Sequence, residues 1–275
     1  MFFRLIRLFR VRHRLLYILL KLKLLNTKNI LFLGTGTSTG VPQIACQCEV
    51  CRSENPKDKR LRASVLISDE KTSVLIDCGP DFRQQMLKHD IRSFSAILLT
   101  HEHYDHVGGL DDIRPFGDVD IYAEKCVTKA VHRTMPYCFC ENRHPGVPKI
   151  SMHEITENEE FEIGTFHVET IRVMHANLPI LGFRINNIAY LTDVKTIDDK
   201  ALEQLKGLDV LILSALRNEE HLSHLTVNEA LELVKKLNPK QTYFTHMSHH
   251  IGLHDEVNKQ LPENVELAYD GLEIK

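Results

Sequence analysis
Beyond residue 28 the chain repeats one pattern: a short apolar run closed by glycine, aspartate or histidine. Residues 29–33, Asn-Ile-Leu-Phe-Leu, read as a first strand, and the small-residue loop from Gly34 to Gly40 follows. Residues 64–68 and 73–77 flank Asp69-Glu70-Lys71-Thr72 and predict a hairpin. A helix is expected from Phe82 to about His89. Residues 95–100, 119–123, 209–213 and 242–245 are apolar runs of strand length. Residues 166–173 alternate apolar and polar, and 181–185 with 188–191 predict a hairpin turning at Asn186-Asn187. Helices are expected over 198–205 and 227–237, the second capped by Thr226 or Ser223. A closing strand falls near 265–268. Residues 136–165, with Pro136, Pro145 and Pro148, read as a loop-rich wall or lid. Strands interleaved with helices place the chain among mixed α/β folds.

The candidate chemistry collects where those strands end. The apolar run to Leu99 leads into Thr100-His101-Glu102-His103-Tyr104-Asp105-His106, with Val107-Gly108-Gly109-Leu110 as a turn into a helix. His101, His103, Asp105 and His106 are four metal-type side chains in six residues. Imidazole suits zinc, manganese and iron, and a carboxylate adds charge. Histidines one residue apart share a side of an extended loop, while Asp105 and His106 turn toward a second point. That spacing suits two adjacent ions better than one. Asp77, His175, Asp193 and His246 also stand at or just past strand ends. Taken alone, Asp77 and Asp193 are equally helix caps. His221 and His224 lie on a histidine-containing loop, while His144 and His153 read as surface residues.

Cys46, Cys48 and Cys51 place three thiols in six residues. They can wrap one tetrahedral zinc if a fourth ligand, of histidine type, comes from elsewhere. Cys126, Cys138 and Cys140 have no partner at ligand spacing. The loop at Gly34 matches neither Gly-x-Gly-x-x-Gly nor a Walker loop, so it gives little support for nucleotide binding. No Ser–His or Cys–His nucleophilic arrangement is visible, which leaves direct attack by water.

Charge divides the 275-residue chain unevenly. Residues 1–28 hold eight basic residues and no acid, so a formal charge of −3 overall leaves −11 on the rest. An acidic body argues against a nucleic-acid track. Within residues 2–25, Arg4, Arg7, Arg10 and Arg14 recur at helical spacing opposite an apolar face. Such a segment can lie on an anionic membrane surface, but it has no uncharged run long enough to span one and no export-signal pattern. The domain expectation is a basic, apolar extension over 1–28 and a globular domain over 29–275, with disorder, or translation from upstream of the true start, as alternatives for the extension. Seven cysteines without an export signal suit ligands or free thiols in a cytoplasmic setting better than disulfides.

Asp77, the His101–His106 motif, His175, Asp193 and His246, in this order at strand ends, resemble the five metal motifs of the metallo-β-lactamase superfamily. The likeness covers about residues 29–275. Within the superfamily the chain looks most like the phosphoribosyl cyclic phosphodiesterases of the carbon–phosphorus lyase pathway. They carry a cysteine-rich loop of this spacing and a Thr-His-x-Ser-His sequence, here Thr245 to His249. The tRNA 3′-processing endonucleases share a Gly-Thr-Gly opening but lack the three-cysteine loop, and their tRNA-gripping arm has no counterpart here.

The resemblance implies an α/β (α+β) fold, the four-layer αβ/βα sandwich. It implies two catalytic divalent ions, zinc or manganese: one on His101, His103 and His175, the other on Asp105, His106 and His246, with Asp193 bridging. Asp77 would orient a ligand from behind, and Asp105 and Asp77 would support catalysis. Cys46, Cys48, Cys51 and His249 would hold a structural zinc. Protonated His224, with His221 as fallback, would contact the scissile phosphate and supply a proton to the leaving group. Two ions about 3.5–4 Å apart would share a hydroxide for in-line attack on a small, cyclic phosphodiester. The alternatives are another hydrolase of this fold acting on RNA, a lactone or a thioester, or a non-catalytic metal protein. Di-iron oxygen-reducing relatives carry glutamate where this chain has His103. Expected partners are a small phosphodiester and a second copy of the chain, with membrane contact only through residues 1–25.

Overall fold
The computed structural model describes residues 28–275, so the readings on the basic extension fall outside the described residues. The apolar runs become strands of two seven-stranded sheets. One sheet contains β1 (Asn29–Gly34), β2 (Ser64–Ser68), β3 (Ser73–Ile76), β4 (Ala96–Leu98), β5 (Asp118–Glu124), β6 (Lys149–Ile155) and β14 (Glu273–Ile274). Its order is β14-β1-β2-β3-β4-β5-β6. The other contains β7 (Glu160–Ile163), β8 (Phe166–His175), β9 (Leu178–Ile185), β10 (Ile188–Leu191), β11 (Val210–Ser214), β12 (Gln241–Thr245) and β13 (Val265–Leu267). These run β13-β12-β11-β10-β9-β8-β7. In both sheets antiparallel hairpins give way to parallel strands: β3, β4, β5 and β6 in the first, and β10 to β13 in the second.

Parallel strands buried on both faces need apolar side chains on both, and that is what the uninterrupted runs supply. Ile30, Phe32, Ile76, Leu98, Phe183, Tyr190 and Ile212 pack between the sheets. Leu33, Leu75, Ile97 and Ile121 turn the other way, onto Phe82, Met86, Val127 and Val131. Those four residues lie on the outer helices α2 (Phe82–Lys88) and α4 (Lys125–Thr134). On the second sheet Leu211, Leu213 and Phe244 pack on Ala201, Ala230 and Val234. These belong to α5 (Asp199–Gln204) and α6 (Val227–Leu237). The result is helix, sheet, sheet, helix, the expected αβ/βα sandwich. Short α1 (Glu49–Arg52), α3 (Tyr104–Val107) and α7 (His254–Asn258) complete the helices among the described residues. None of these is long and apolar enough to cross a membrane.

Local chemistry ends the elements as the sequence leads one to expect. Thr226 caps α6 in a capping box with Glu229, and Asn238 closes it in left-handed backbone. The β9–β10 hairpin pairs Ile185 with Ile188 across a two-residue turn, with Asn186 at φ 52°.

Two expectations need correction. Residues 136–165 are loop only in part, because β6 and β7 lie within them. β6 pairs only with β5, so its outward positions are polar and its alternation is hidden by flanking prolines. The histidine motif is also not extended throughout. A single helical turn starts at Tyr104, with His103 as its cap, and Leu110–Phe116 continue as 3-10 turns.

Candidate metal centre
The parallel strands end at one side of the sandwich, and the metal-type residues stand there. Asp77 follows β3, His101 and His103 follow β4, His175 ends β8, Asp193 follows β10, and His246 follows β12. Asp77, Asp193 and His246 take left-handed backbone, with φ of 62°, 55° and 55°. Non-glycine residues hold that conformation at a cost of order 1–3 kcal/mol each, and such strain clusters at functional sites. Here it lets a strand stop abruptly and turn its last side chain into the cleft.

Three imidazoles, His101, His106 and His175, are held from behind at Nδ1, which turns Nε2 toward the cleft. Asp77, fully buried, accepts from His106 Nδ1 at 2.7 Å and from the Thr100 backbone N–H at 2.9 Å. Thr100 Oγ1 donates to Asp77 and accepts from His101 Nδ1 at 3.0 Å. The Ser223 carbonyl accepts from His175 Nδ1 at 2.9 Å. Fixing one ring nitrogen sets the tautomer and aims the other, as partners behind metal ligands commonly do.

The free atoms converge at two points. At the first, His106 Nε2 lies 3.1 Å from Asp105 Oδ2 and 3.2 Å from Asp193 Oδ2. His246 Nε2 is 3.4 Å and 3.3 Å from the same two oxygens. The single turn of α3 is what brings Asp105 and His106 to this point together. At the second, His101 Nε2 faces His103 Nδ1 at 3.0 Å, with the His175 ring 5.3 Å from that of His103. Asp193 stands between: His101, His106 and Asp193 form a ligand-sized group, and Asp105, His106 and His246 form another.

The electrostatics ask for positive charge. His106 Nε2 is buried with no hydrogen bond of its own. Burial opposes charging His106, but Asp77, Asp193 and Asp105 outweigh it and raise its pKa well above the ordinary imidazole value. Burial would likewise raise Asp193, yet His246 and His106 hold it well below the carboxylate range. Buried carboxylates around an unpartnered nitrogen are the donor set of a divalent cation.

His224 behaves differently. Its ring lies 4.6 Å from that of His175 and 5.1 Å from that of His246, with Nδ1 3.7 Å from Asp193 Oδ1. Burial, reinforced by His246, lowers it to about 3, so at neutral pH the ring is uncharged. His175, Asp193 and His224 also lie close enough to form a third ligand-sized group, which the spacing of His224 did not announce. His221, 5.0 Å from His224 between ring centres, is half-buried above it.

A separate cluster sits on the surface. Cys46 Sγ and Cys48 Sγ approach His249 Nδ1 at 3.5 Å and 3.2 Å, and Cys51 completes the group. Hydrogen bonding to His249 lowers the Cys48 thiol to about 6, whereas burial raises Cys51 to about 11. His144 and His153 are exposed and away from both clusters, and Cys138 is buried as a free thiol.

A profile described as a beta-lactamase superfamily domain matches residues 72–247. The chain belongs to that superfamily. A solved diphosphatase from the PhnP family is 39% identical, with a TM-score of 0.84, over 90% of this chain and 96% of the other. That likeness places the chain in the PhnP family. Zinc-bound PqqB from Methylobacterium extorquens, 19% identical, shares the fold: TM-score 0.74 over 90% of this chain and 99% of PqqB. An octanoyltransferase of Porphyromonas gingivalis is 44% identical over 248 residues, 88% of this chain. The chain spans half the length of that relative. The clustered imidazoles and carboxylates fit divalent metals.

Proposed function
We propose that the chain is a dinuclear metal-dependent phosphodiesterase acting on a small phosphodiester. The observation that carries the reading is the meeting of His106 Nε2 and His246 Nε2 on Asp105 Oδ2 and Asp193 Oδ2, beside His101 and His103. In this reading His101, His103 and His175 hold one ion and Asp105, His106 and His246 the other, with Asp193 shared. Cys46, Cys48, Cys51 and His249 hold a structural zinc. When bound, two divalent ions activate water and neutralise the non-bridging phosphate oxygens.

The remaining steps belong to the chain's own residues. Asp77 and Thr100 keep His106 and His101 in one tautomer, so substrate binding need not reorganise the site. His224, neutral in the free site, donates a hydrogen bond to a phosphate oxygen. The phosphate's negative charge then favours uptake of a solvent proton by the ring, and the ring gives a proton to the departing alkoxide. The likeness to a diphosphatase supports a small phosphorylated substrate. The octanoyltransferase name describes a protein twice as long, and buried imidazoles around carboxylates suit metal-assisted hydrolysis rather than acyl transfer.

The test pairs metal analysis with a substrate panel: bis(4-nitrophenyl) phosphate, a ribose cyclic phosphate, a diphosphate ester, a short RNA, a lactone and a thioester. Phosphodiester turnover with three tightly bound metals per chain is expected. Turnover of only the lactone or thioester overturns the reading. His224→Ala should cost about 10²–10³-fold in kcat with a simple alcohol leaving group and much less with nitrophenolate, which departs without a proton. Equal losses on both would assign His224 to phosphate binding alone.

A further inference from the structure
The loop between β11 and α6 is tied to the cleft on both sides of His224. On one side the Ser223 carbonyl accepts from His175 Nδ1 at 2.9 Å. On the other, Leu225 N–H donates to the carbonyl of Val194, next to Asp193, at 2.8 Å, and Leu216 N–H closes the base of the loop on the Leu225 carbonyl at 3.0 Å. The backbone around His224 is thus anchored to His175 and to the neighbour of Asp193, and the ring is buried between them.

The atoms in question are left over from every other contact. His224 Nδ1 is buried and has no hydrogen-bond partner among the described residues. Asp193 Oδ1 lies 3.7 Å from it. That is too long for a hydrogen bond. It is the spacing of two atoms that share an ion, since ligands about 2.0–2.2 Å from one cation stand roughly 3–4 Å apart. The two oxygens of Asp193 face different rings: Oδ2 meets His106 and His246 at 3.2 and 3.3 Å, and Oδ1 meets His224. With His175 held at Nδ1, its Nε2 is the nitrogen left for a metal. His175, Asp193 and His224 each offer one ligand atom within 4.8 Å of the others. A buried ring nitrogen without a partner costs about 1–3 kcal/mol, which a bond to a cation at that atom removes.

We propose that His224 is itself a metal ligand in the substrate-free protein, and that phosphate takes its place there. It joins His175 and Asp193 Oδ1 on the ion that His101, His103 and His175 hold in the two-ion reading. The inference rests on that reading and adds a ligand that the motif spacing does not contain. It also says when the ring becomes available: His224 reaches a phosphate oxygen only after leaving the metal. Five protein ligands leave little room around one ion, so one of them must yield to substrate. His224 is the one farthest from a strand end, on the loop that follows Ser214 of β11.

The test is a pair of crystal structures of the zinc-loaded protein, one without substrate and one with inorganic phosphate. A His224 nitrogen is expected about 2.0–2.2 Å from an ion in the first and away from it in the second. Chelator competition without substrate gives a readout independent of turnover. Losing a ligand should weaken that ion at least as much as losing a supporting contact, which costs about 10–100-fold. His224→Ala should therefore bind it at least about tenfold more weakly, while His221→Ala, one ring farther out, should bind it as wild type does. Two ions in the cleft with His224 turned from both, and unchanged affinity in His224→Ala, overturn the inference and leave the two-ion reading standing. His224 still on the ion with phosphate bound overturns the exchange. A single ion held by His175, Asp193 and His224 sustains the inference as to the ligand and sinks the two-ion reading alone. With metal saturating, the leaving-group comparison in His224→Ala reads the ring after its release, so the two tests fail separately.

Discussion
The histidine cleft and the cysteine loop each gather metal-type side chains, yet they differ in what holds those side chains in place. In the cleft the metal-type residues lie at strand ends or on the single turn of α3 that follows β4, and the rings of His101, His106 and His175 are fixed from behind by Thr100, Asp77 and the Ser223 carbonyl. The cysteine loop has three ligands from one surface excursion and a fourth, His249, from a 3-10 turn. Cys48 is exposed, and the backbone contacts to the sulfurs come from Gln43 N–H at 3.4 Å and Cys51 N–H at 3.5 Å. A cleft assembled by its fold can lose a ligand and keep its shape. A loop with fewer such contacts would lean on a bound metal for part of its shape, as structural zinc sites do.

His103→Ala puts the first half of that contrast at greatest risk. His103 is exposed and its loss leaves the strands untouched, so the fold should persist while kcat falls by at least about 10³-fold with one ion missing. Circular dichroism and metal content distinguish loss of a ligand from loss of the fold. More than about a tenth of wild-type kcat with that metal absent would sink the two-ion assignment.

Asp77→Asn probes the support behind the ligands. The carboxylate receives His106 Nδ1, Thr100 N and Thr100 Oγ1, and an amide offers one acceptor oxygen in place of two. Metal affinity should fall about 10–100-fold, with a stability loss of about 1–3 kcal/mol from the buried donors left short. Competition with a chelator measures the first and urea unfolding the second. Unchanged affinity would mean that His106 is oriented by packing alone.

Cys48→Ser addresses the second half. One zinc should be lost and the melting temperature should fall by about 5–10 °C. The cleft should stay chemically competent at low temperature, with activity partly restored by added metal, because His249 lies three residues after His246. Unchanged metal content and melting temperature would show that the cysteines hold no zinc.

The same contrast governs what the sequence could disclose. The residues of the cleft were legible because each stands where an apolar run stops, and a run that ends in histidine or aspartate has no packing reason to do so. His224 was legible as a position, but its burial against His175 and His246 was not, since the three rings come from separate elements. The partner of His175 was out of reach: it is the Ser223 carbonyl, and every residue has one. The strands β6 and β7 were missed because edge strands need little apolar alternation. Nothing marked Arg60 either, although it is buried. Its guanidinium donates to Thr35 Oγ1 at 2.9 Å and to the Ala268 carbonyl at 2.7 Å, and its Nη2 lies 3.2 Å from His254 Nδ1. Long-range polar networks leave no periodic trace in a sequence.

That network supplies the smallest and sharpest test, because it supports the cysteine-loop side of the molecule without metal. Asp270 accepts from Thr35 Oγ1 at 2.8 Å and from Leu61 N–H at 2.7 Å, while Asp58 accepts from His254 N–H at 2.8 Å. Burial pushes Asp270 up to about 6, with Leu61, Thr35 and Arg60 opposing. An unfolded aspartate titrates near ~3.9. Between those values the folded chain binds more protons than the unfolded one, so stability falls as pH rises. The contribution is fully present below about pH 4 and is lost through about pH 6, amounting to at most about 3 kcal/mol. Asp270→Asn cannot ionise, so its unfolding free energy should lack that slope, which urea titrations from pH 4 to 7 can read against wild type. Repeating the pair in the Cys48→Ser background decides whether network and zinc act separately. The same slope difference in both backgrounds means that they do, and a larger one without zinc means that the loop then leans on Arg60 and Asp270. An identical pH profile for Asp270→Asn and wild type would show that Asp270 keeps its charge at little cost and that the network is not proton-linked.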